Sequence, residues 1–140
     1  MFVNFTVYSK KYIHKFLMYI LNKVYICIMY SSELIKGTLK TIILKLFSES
    51  DKMYGYEITQ KVKELTGGKI QLTEGALYPT LHAMEAQGIL TTDVVNVGNR
   101  IRKYYSVTVA GKEIAKEKVN EYSDFIDTMI FLLDLKPKLG

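Results

Sequence analysis

Tryptophan is absent from this chain of 140 residues, cysteine occurs once, at Cys27, and proline twice, at Pro79 and Pro137. A single thiol excludes an internal disulfide framework and a cysteine-based zinc cluster. Histidine is nearly as scarce, and His14 and His82 alone cannot build a metal site. No Ser or Cys stands in a nucleophile motif, and neither a phosphate loop nor a metal-ligand spacing occurs. An enzyme is therefore not expected, nor a metal or a cofactor. No apolar run reaches the roughly 20 residues that a membrane-spanning helix needs. The nearest, residues 16–30, is interrupted by Asn22 and Lys23.

Acidic residues are missing from residues 1–30, as are Gly, Pro and Ala. That absence decides how the charge should be read. The formal net charge is +5, but the first 30 residues hold four lysines, leaving 15 basic against 14 acidic residues in 31–140, a net of +1. The remainder is nearly neutral, so net charge gives little support to a nucleic-acid partner, and the placement of individual cations must carry that argument. Within 1–30, 21 positions are Phe, Tyr, Lys, Asn, Ile or Met, all encoded by codons rich in A and T. This leader of doubtful status reads as translated sequence upstream of a start at Met29. A basic amphipathic helix lying on a membrane surface is the alternative, and a signal peptide fits poorly because no small-residue cleavage site follows.

What is present is most informative over residues 73–90, TEGALYPTLHAMEAQGIL. Thr73 is a good N-cap and Gly88 a good C-terminal stop for an amphipathic helix. Leu77, Leu81 and Met84 form its core stripe by their four-three spacing. Gly75, Tyr78, Pro79 and His82 share the other face. There a glycine costs about 1 kcal/mol, and a proline removes the hydrogen bond to the Gly75 carbonyl. Local rules broken on one exposed face mark a site. Gly75 leaves room for a groove or phosphate chain, and Tyr78 offers a hydroxyl beside it.

Upstream, Tyr54-Gly55-Tyr56-Glu57-Ile58 opens a helix with an Ile58, Val62, Leu65 stripe, closed by Gly67-Gly68. Ser32 caps an earlier helix over residues 33–47, with Ile35, Leu39, Ile42, Ile43 and Leu46 as its buried stripe. Downstream, residues 90–95 and 102–109 are β-rich runs around the turn Asn96-Val97-Gly98-Asn99. Helix, turn, helix and hairpin is the winged helix-turn-helix order, so the expected fold is mainly α with a small β-hairpin. Residues 110–133 form a long last helix, in which Ala115, Val119, Tyr122, Ile126, Met129 and Leu133 make a heptad seam. A three-helix core does not need that helix for its own packing, and a second subunit is the expected partner.

The quoted pieces resemble the PadR-like transcriptional regulators: ELIKGTL at 33–39, YGYEI at 54–58, EGALYPTLHAME at 74–85, and RKYY at 102–105 with Thr108 and Gly111. They fall in family order over residues 33–133. The resemblance implies a winged helix-turn-helix DNA-binding domain over residues 31–109 and a dimerisation helix over 110–135. It also implies a cytoplasmic homodimer that acts on double-stranded DNA, as a repressor. On the recognition helix the expected DNA contacts are Thr73, Gly75, Ala76, Tyr78, Pro79 and His82; on the wing they are Arg100, Arg102, Lys103 and Tyr104. The recognition helix holds Glu74 and Glu85 but no Lys or Arg, so phosphate-neutralising charge must come from elsewhere: from the wing, with Lys36, Lys61, Lys63 and Lys69 able to add contacts from the helices. Alternation puts Arg102, Tyr104 and Ser106 on one side of the hairpin and Lys103, Tyr105 and Val107 on the other. Many relatives carry Arg or Lys near His82, a departure that weakens the case for phosphate contact there. Some members bind flat aromatic ligands between dimerisation helices; without Trp, Tyr122 would have to provide the stacking surface, which leaves a small aromatic effector open. The competing function is a winged-helix protein-interaction module without DNA binding, favoured by the near-neutral charge and the acidic recognition helix.

Overall fold

The computed structural model describes residues 30–136. The leader, apart from Tyr30, lies outside the described residues, and so does the tail with Pro137 and Gly140.

Helix α1 (Ser32–Phe47) starts one residue earlier than its sequence suggests, because Ser31 is the cap: its hydroxyl accepts the Leu34 N–H at 3.4 Å. Leu39, Ile43, Leu44, Leu46 and Phe47 are buried, an arc wider than a simple stripe, because α1 is the element around which the others pack. Strand β1 (Met53–Tyr54) leads straight into helix α2 (Gly55–Leu65), where the Tyr54 N–H donates to Glu57 Oε2 at 3.0 Å and satisfies one orphan group of the helix start. Ile58 and Val62 of α2 are buried, but Leu65, expected in the same stripe, is 62% exposed. The helix ends at that residue. Gly67 and Gly68 have φ of 57° and 80°, and their N–H groups return to the carbonyls of Glu64 and Lys63, so the chain turns away before Leu65 can reach the core.

Helix α3 (Glu74–Ala86) closes by the same device: Gly88, at φ 71°, donates to the Glu85 carbonyl, and Ile89 donates to Met84 at 2.9 Å. The hairpin of β2 (Leu90–Val97) and β3 (Arg100–Val107) is longer than its β-rich runs imply. Val97 pairs with Arg100, which narrows the expected four-residue turn to Gly98-Asn99. Gly98 has φ 62° while Asn99 does not, the II′ arrangement whose twist suits a hairpin. β1 adds itself to β3, Met53 against Tyr105 and Tyr54 against Tyr104, so the sheet has the order β1-β3-β2 rather than two strands.

Helix α4 (Val109–Leu132) is capped by Thr108, whose hydroxyl accepts from the Gly111 N–H at 3.0 Å and donates to the Gly88 carbonyl at 2.7 Å. A Cβ on Gly111 would run into the Ile89 carbonyl and Val107, so glycine is what lets α4 begin against the end of α3. The core is one cluster drawn from α1, β1, α2, α3, the start of β2, Tyr105 and Ala115. Each Leu or Ile buried in it stabilises the fold by about 1.5–3 kcal/mol. This core fixes α3 and the hairpin, while the far half of α4 extends beyond it.

Candidate nucleic-acid interface

Leu77 and Leu81 are 0% exposed and Met84 is 1% exposed, which pins one side of α3 and sets the direction of the other. Thr73, Glu74, Gly75, Tyr78, Pro79 and His82 are at the surface. Ala76, expected among them, is half-buried against the core, because it lies one residue from Leu77 on the edge of the buried stripe. Around Gly75 there is open space: among the described residues nothing outside the local helix backbone lies within 4 Å of the position a Cβ would take. Packing among those residues therefore does not require its absent side chain. Pro79 sits inside the helix, and beside it the Thr80 hydroxyl donates to the Ala76 carbonyl at 2.9 Å. Tyr78 leans across α2: its hydroxyl would lie 2.5 Å from a Cβ on Gly55. The ring remains at the surface, with the His82 ring 6.4 Å away. Tyr78 thus joins the two helices of the motif as well as facing outward.

The hairpin sorts its cations into three situations. Arg100 is exposed next to the turn and makes no ion pair among the described residues. Arg102 stands over the Tyr54 ring at 4.7 Å, and Tyr104 meets the same ring edge-on at 5.5 Å. Lys52 lies 5.3 Å from the Tyr104 centroid, so Lys52, Tyr54, Arg102 and Tyr104 form one cation–aromatic face. The phenols of Tyr104 and then Tyr54 raise the Arg102 pKa further. The sequence gives no sign that Lys52 and Tyr54 join this face, because the two-residue strand that brings them beside β3 is too short to show a period. Lys103 points to the other side, where alternation places it. There it is engaged: its Nζ lies 2.8 Å from Glu85 Oε2, while the Thr92 hydroxyl donates to Glu85 Oε1 at 2.7 Å. Lys103, expected among the phosphate-neutralising residues of the wing, thus stands in an ion pair with the recognition helix. The hydrogen bonds from Lys103 and then Thr92 hold the Glu85 carboxyl below its ordinary range, and Glu85 raises Lys103 in turn. Tyr105 next to it is buried, and burial pushes its phenol up.

Along α4 the heptad residues divide. Ala115, expected in the dimer seam, is 7% exposed and packs in this chain's own core, because the first turns of α4 lie on α1. Val119, Ile126 and Leu133 are exposed at 37%, 42% and 54%, with Tyr122 and Met129 half-buried on the same stripe. Leu133 is the C-cap rather than part of the helix. Among the described residues no helix is long and apolar enough to cross a membrane, and no group of His, Cys, Asp or Glu could hold a metal ion.

A tri-helical core closed by a three-stranded antiparallel sheet, with a solvent-facing second helix and a hairpin at its side, defines a winged helix-turn-helix protein. The model of the Transcriptional regulator PadR-like family matches residues 43–117, and the chain belongs to that family of transcriptional regulators. It is similar to an uncharacterised protein of Lysinibacillus sphaericus, 36% identical over 99 residues that span 69% of this chain and 88% of the relative. Among solved structures it is similar to a transcriptional regulator of Clostridium thermocellum, with 29% identity and a TM-score of 0.65 over 72% of this chain and 95% of that one. The Bacillus subtilis PadR structure in complex with operator DNA is 28% identical with a TM-score of 0.54, covering 59% of this chain and 45% of that chain.

Proposed function

We propose that this protein is a homodimeric, sequence-specific DNA-binding repressor that seats the exposed face of α3 from each subunit in successive major grooves. The observation that carries the reading is the face made by Thr73, Gly75, Tyr78, Pro79 and His82. It has an open approach at Gly75, is held outward by the buried Leu77, Leu81 and Met84, and is flanked by a wing whose tip carries Arg100, exposed and without an ion pair among the described residues. Side chains at base edges specify and cations at phosphates position, and the two elements divide along that line. The operator complex of the Bacillus subtilis relative supports the same use of this fold here. Repression follows from occupancy, since a dimer spanning two grooves blocks the passage of polymerase. An electrophoretic shift with fragments of the source genome tests the reading: a discrete set of fragments is retained, whereas retention of none would favour the protein-interaction module.

A second copy of the chain is the partner proposed for the far half of α4, where Val119, Ile126 and Leu133 are uncovered along one stripe. A contiguous apolar surface of this kind needs a cover. A small aromatic effector has a place beside that surface. A groove of about 330 Å³ between α1, α2 and α4 is lined by Ile42, Leu46, Val62 and Tyr122, and the Tyr122 and Phe125 rings are 6.3 Å apart. In this reading the protein acts in the cytoplasm.

A further inference from the structure

Glu85 is the one acidic side chain of α3 that touches the wing, and it touches both strands of it: Thr92 on β2 at 2.7 Å and Lys103 on β3 at 2.8 Å. Those two residues are not directly paired in the sheet, where Thr92 faces Tyr105 and Lys103 faces Val94. The carboxylate therefore spans neighbouring rungs on one face of the hairpin. Glu85 lies three residues beyond His82, so the clamp is one helical turn from the exposed recognition face. Two consequences follow from the charges. An unpaired carboxylate so placed would repel DNA phosphates, and Lys103 cancels it. Equally, the charge of Glu85 offsets that of Lys103, so the pair as a whole adds little net positive charge toward a phosphate.

We propose that Glu85 is a positioning residue that clamps the wing to the recognition helix and withholds Lys103 from the DNA backbone, so that sequence-independent affinity stays low and discrimination stays high. This rests on the DNA-binding reading. The clamp sets the angle at which the wing tip, with Arg100, meets the duplex relative to α3. Of the three cations that the wing carries in four residues, only Arg100 stands free, among the described residues, of both an ion pair and an aromatic face.

The test is a salt titration of the dimer on a mixed-sequence duplex with the wild type, Glu85→Gln, and Glu85→Gln combined with Lys103→Gln. Glu85→Gln keeps an acceptor for Thr92 and releases Lys103, so log affinity against log salt should steepen by up to about 0.9 per subunit. The double variant should return to the wild-type slope. A residue that only supported the fold would lower affinity without steepening the slope. An unchanged slope in Glu85→Gln, or a steeper slope that persists in the double variant, overturns the proposal. If the wild type binds no duplex at any salt, the DNA reading itself falls, and amide exchange judges the clamp. Faster exchange of β2 and β3 in Glu85→Gln supports it, and unchanged exchange refutes it.

Discussion

Tyr78 and Gly55 are fitted to each other across the two helices of the motif: the phenol occupies the space in which a Cβ on Gly55 would stand, 2.5 Å from its hydroxyl oxygen. The contact ties the exposed face of α3 to the start of α2. Gly55→Ala must push the ring outward, and because Tyr78 is already 36% exposed it has somewhere to go. The expected cost in stability is at the low end of overpacking, about 1 kcal/mol. Chemical denaturation should show that small loss, and the aromatic NMR signals of Tyr78 should shift. Unmoved Tyr78 signals would contradict the contact.

Arg100 should behave as a phosphate cation. Arg100→Ala is expected to weaken binding to all duplexes alike and to flatten the salt slope by up to about 0.9 per subunit while sequence preference survives. Lys103→Ala should not do the same, since it uncovers Glu85. Equal slopes for the wild type and Arg100→Ala would remove the wing tip from the interface.

Ile126 is 42% exposed, so a charge there does not disturb the fold of one subunit. In a dimer seam it would be buried without a partner, at a cost of several kcal/mol. Ile126→Asp should therefore sediment as a folded monomer. A dimer with unchanged affinity would place the interface elsewhere.

The Glu85 carboxyl titrates below its unfolded value because Lys103 and Thr92 hydrogen-bond to its charged form. A carboxyl lowered in this way stabilises the fold above its unfolded pKa, and the contribution is lost as the pH falls through the lowered value. Wild type should exceed Glu85→Gln in stability at neutral pH, and the difference should shrink as the pH drops below about 4. Denaturation midpoints measured across that range check the sign. A difference that grew in acid would contradict it.

How legible was all this in the sequence? The limits of α3 were, because Gly88 and the Leu77, Leu81, Met84 spacing are local signals that the structure uses locally, and Thr73 stands at the N-cap although its side chain makes no cap hydrogen bond. The hairpin was visible as β-rich runs but not its length, since Asn96 and Val97 read as turn residues, whereas they pair with Ile101 and Arg100 and leave the turn to Gly98-Asn99. β1 was invisible, as two residues carry no period. The partners of the wing cations were also out of reach. Lys103 and Glu85 are 18 residues apart, and their meeting depends on how the sheet lies on α3. Ala115 fits a heptad by spacing, yet it is core, because periodicity identifies a stripe and not what covers it.

Gly75 gives the most direct measurement of the central claim. Among the described residues nothing outside the local helix backbone lies within 4 Å of a Cβ at this position, so Gly75→Ala should stabilise the helix, by up to about 1 kcal/mol, and Gly75→Val should fold and remain dimeric. Binding of the wild type and both variants to genomic fragments, in the presence of mixed-sequence competitor, reads the face alone. The account predicts that the wild type retains a discrete set of fragments and that Gly75→Val, folded and dimeric, retains none. Normal retention by Gly75→Val would contradict the assignment of this face to DNA.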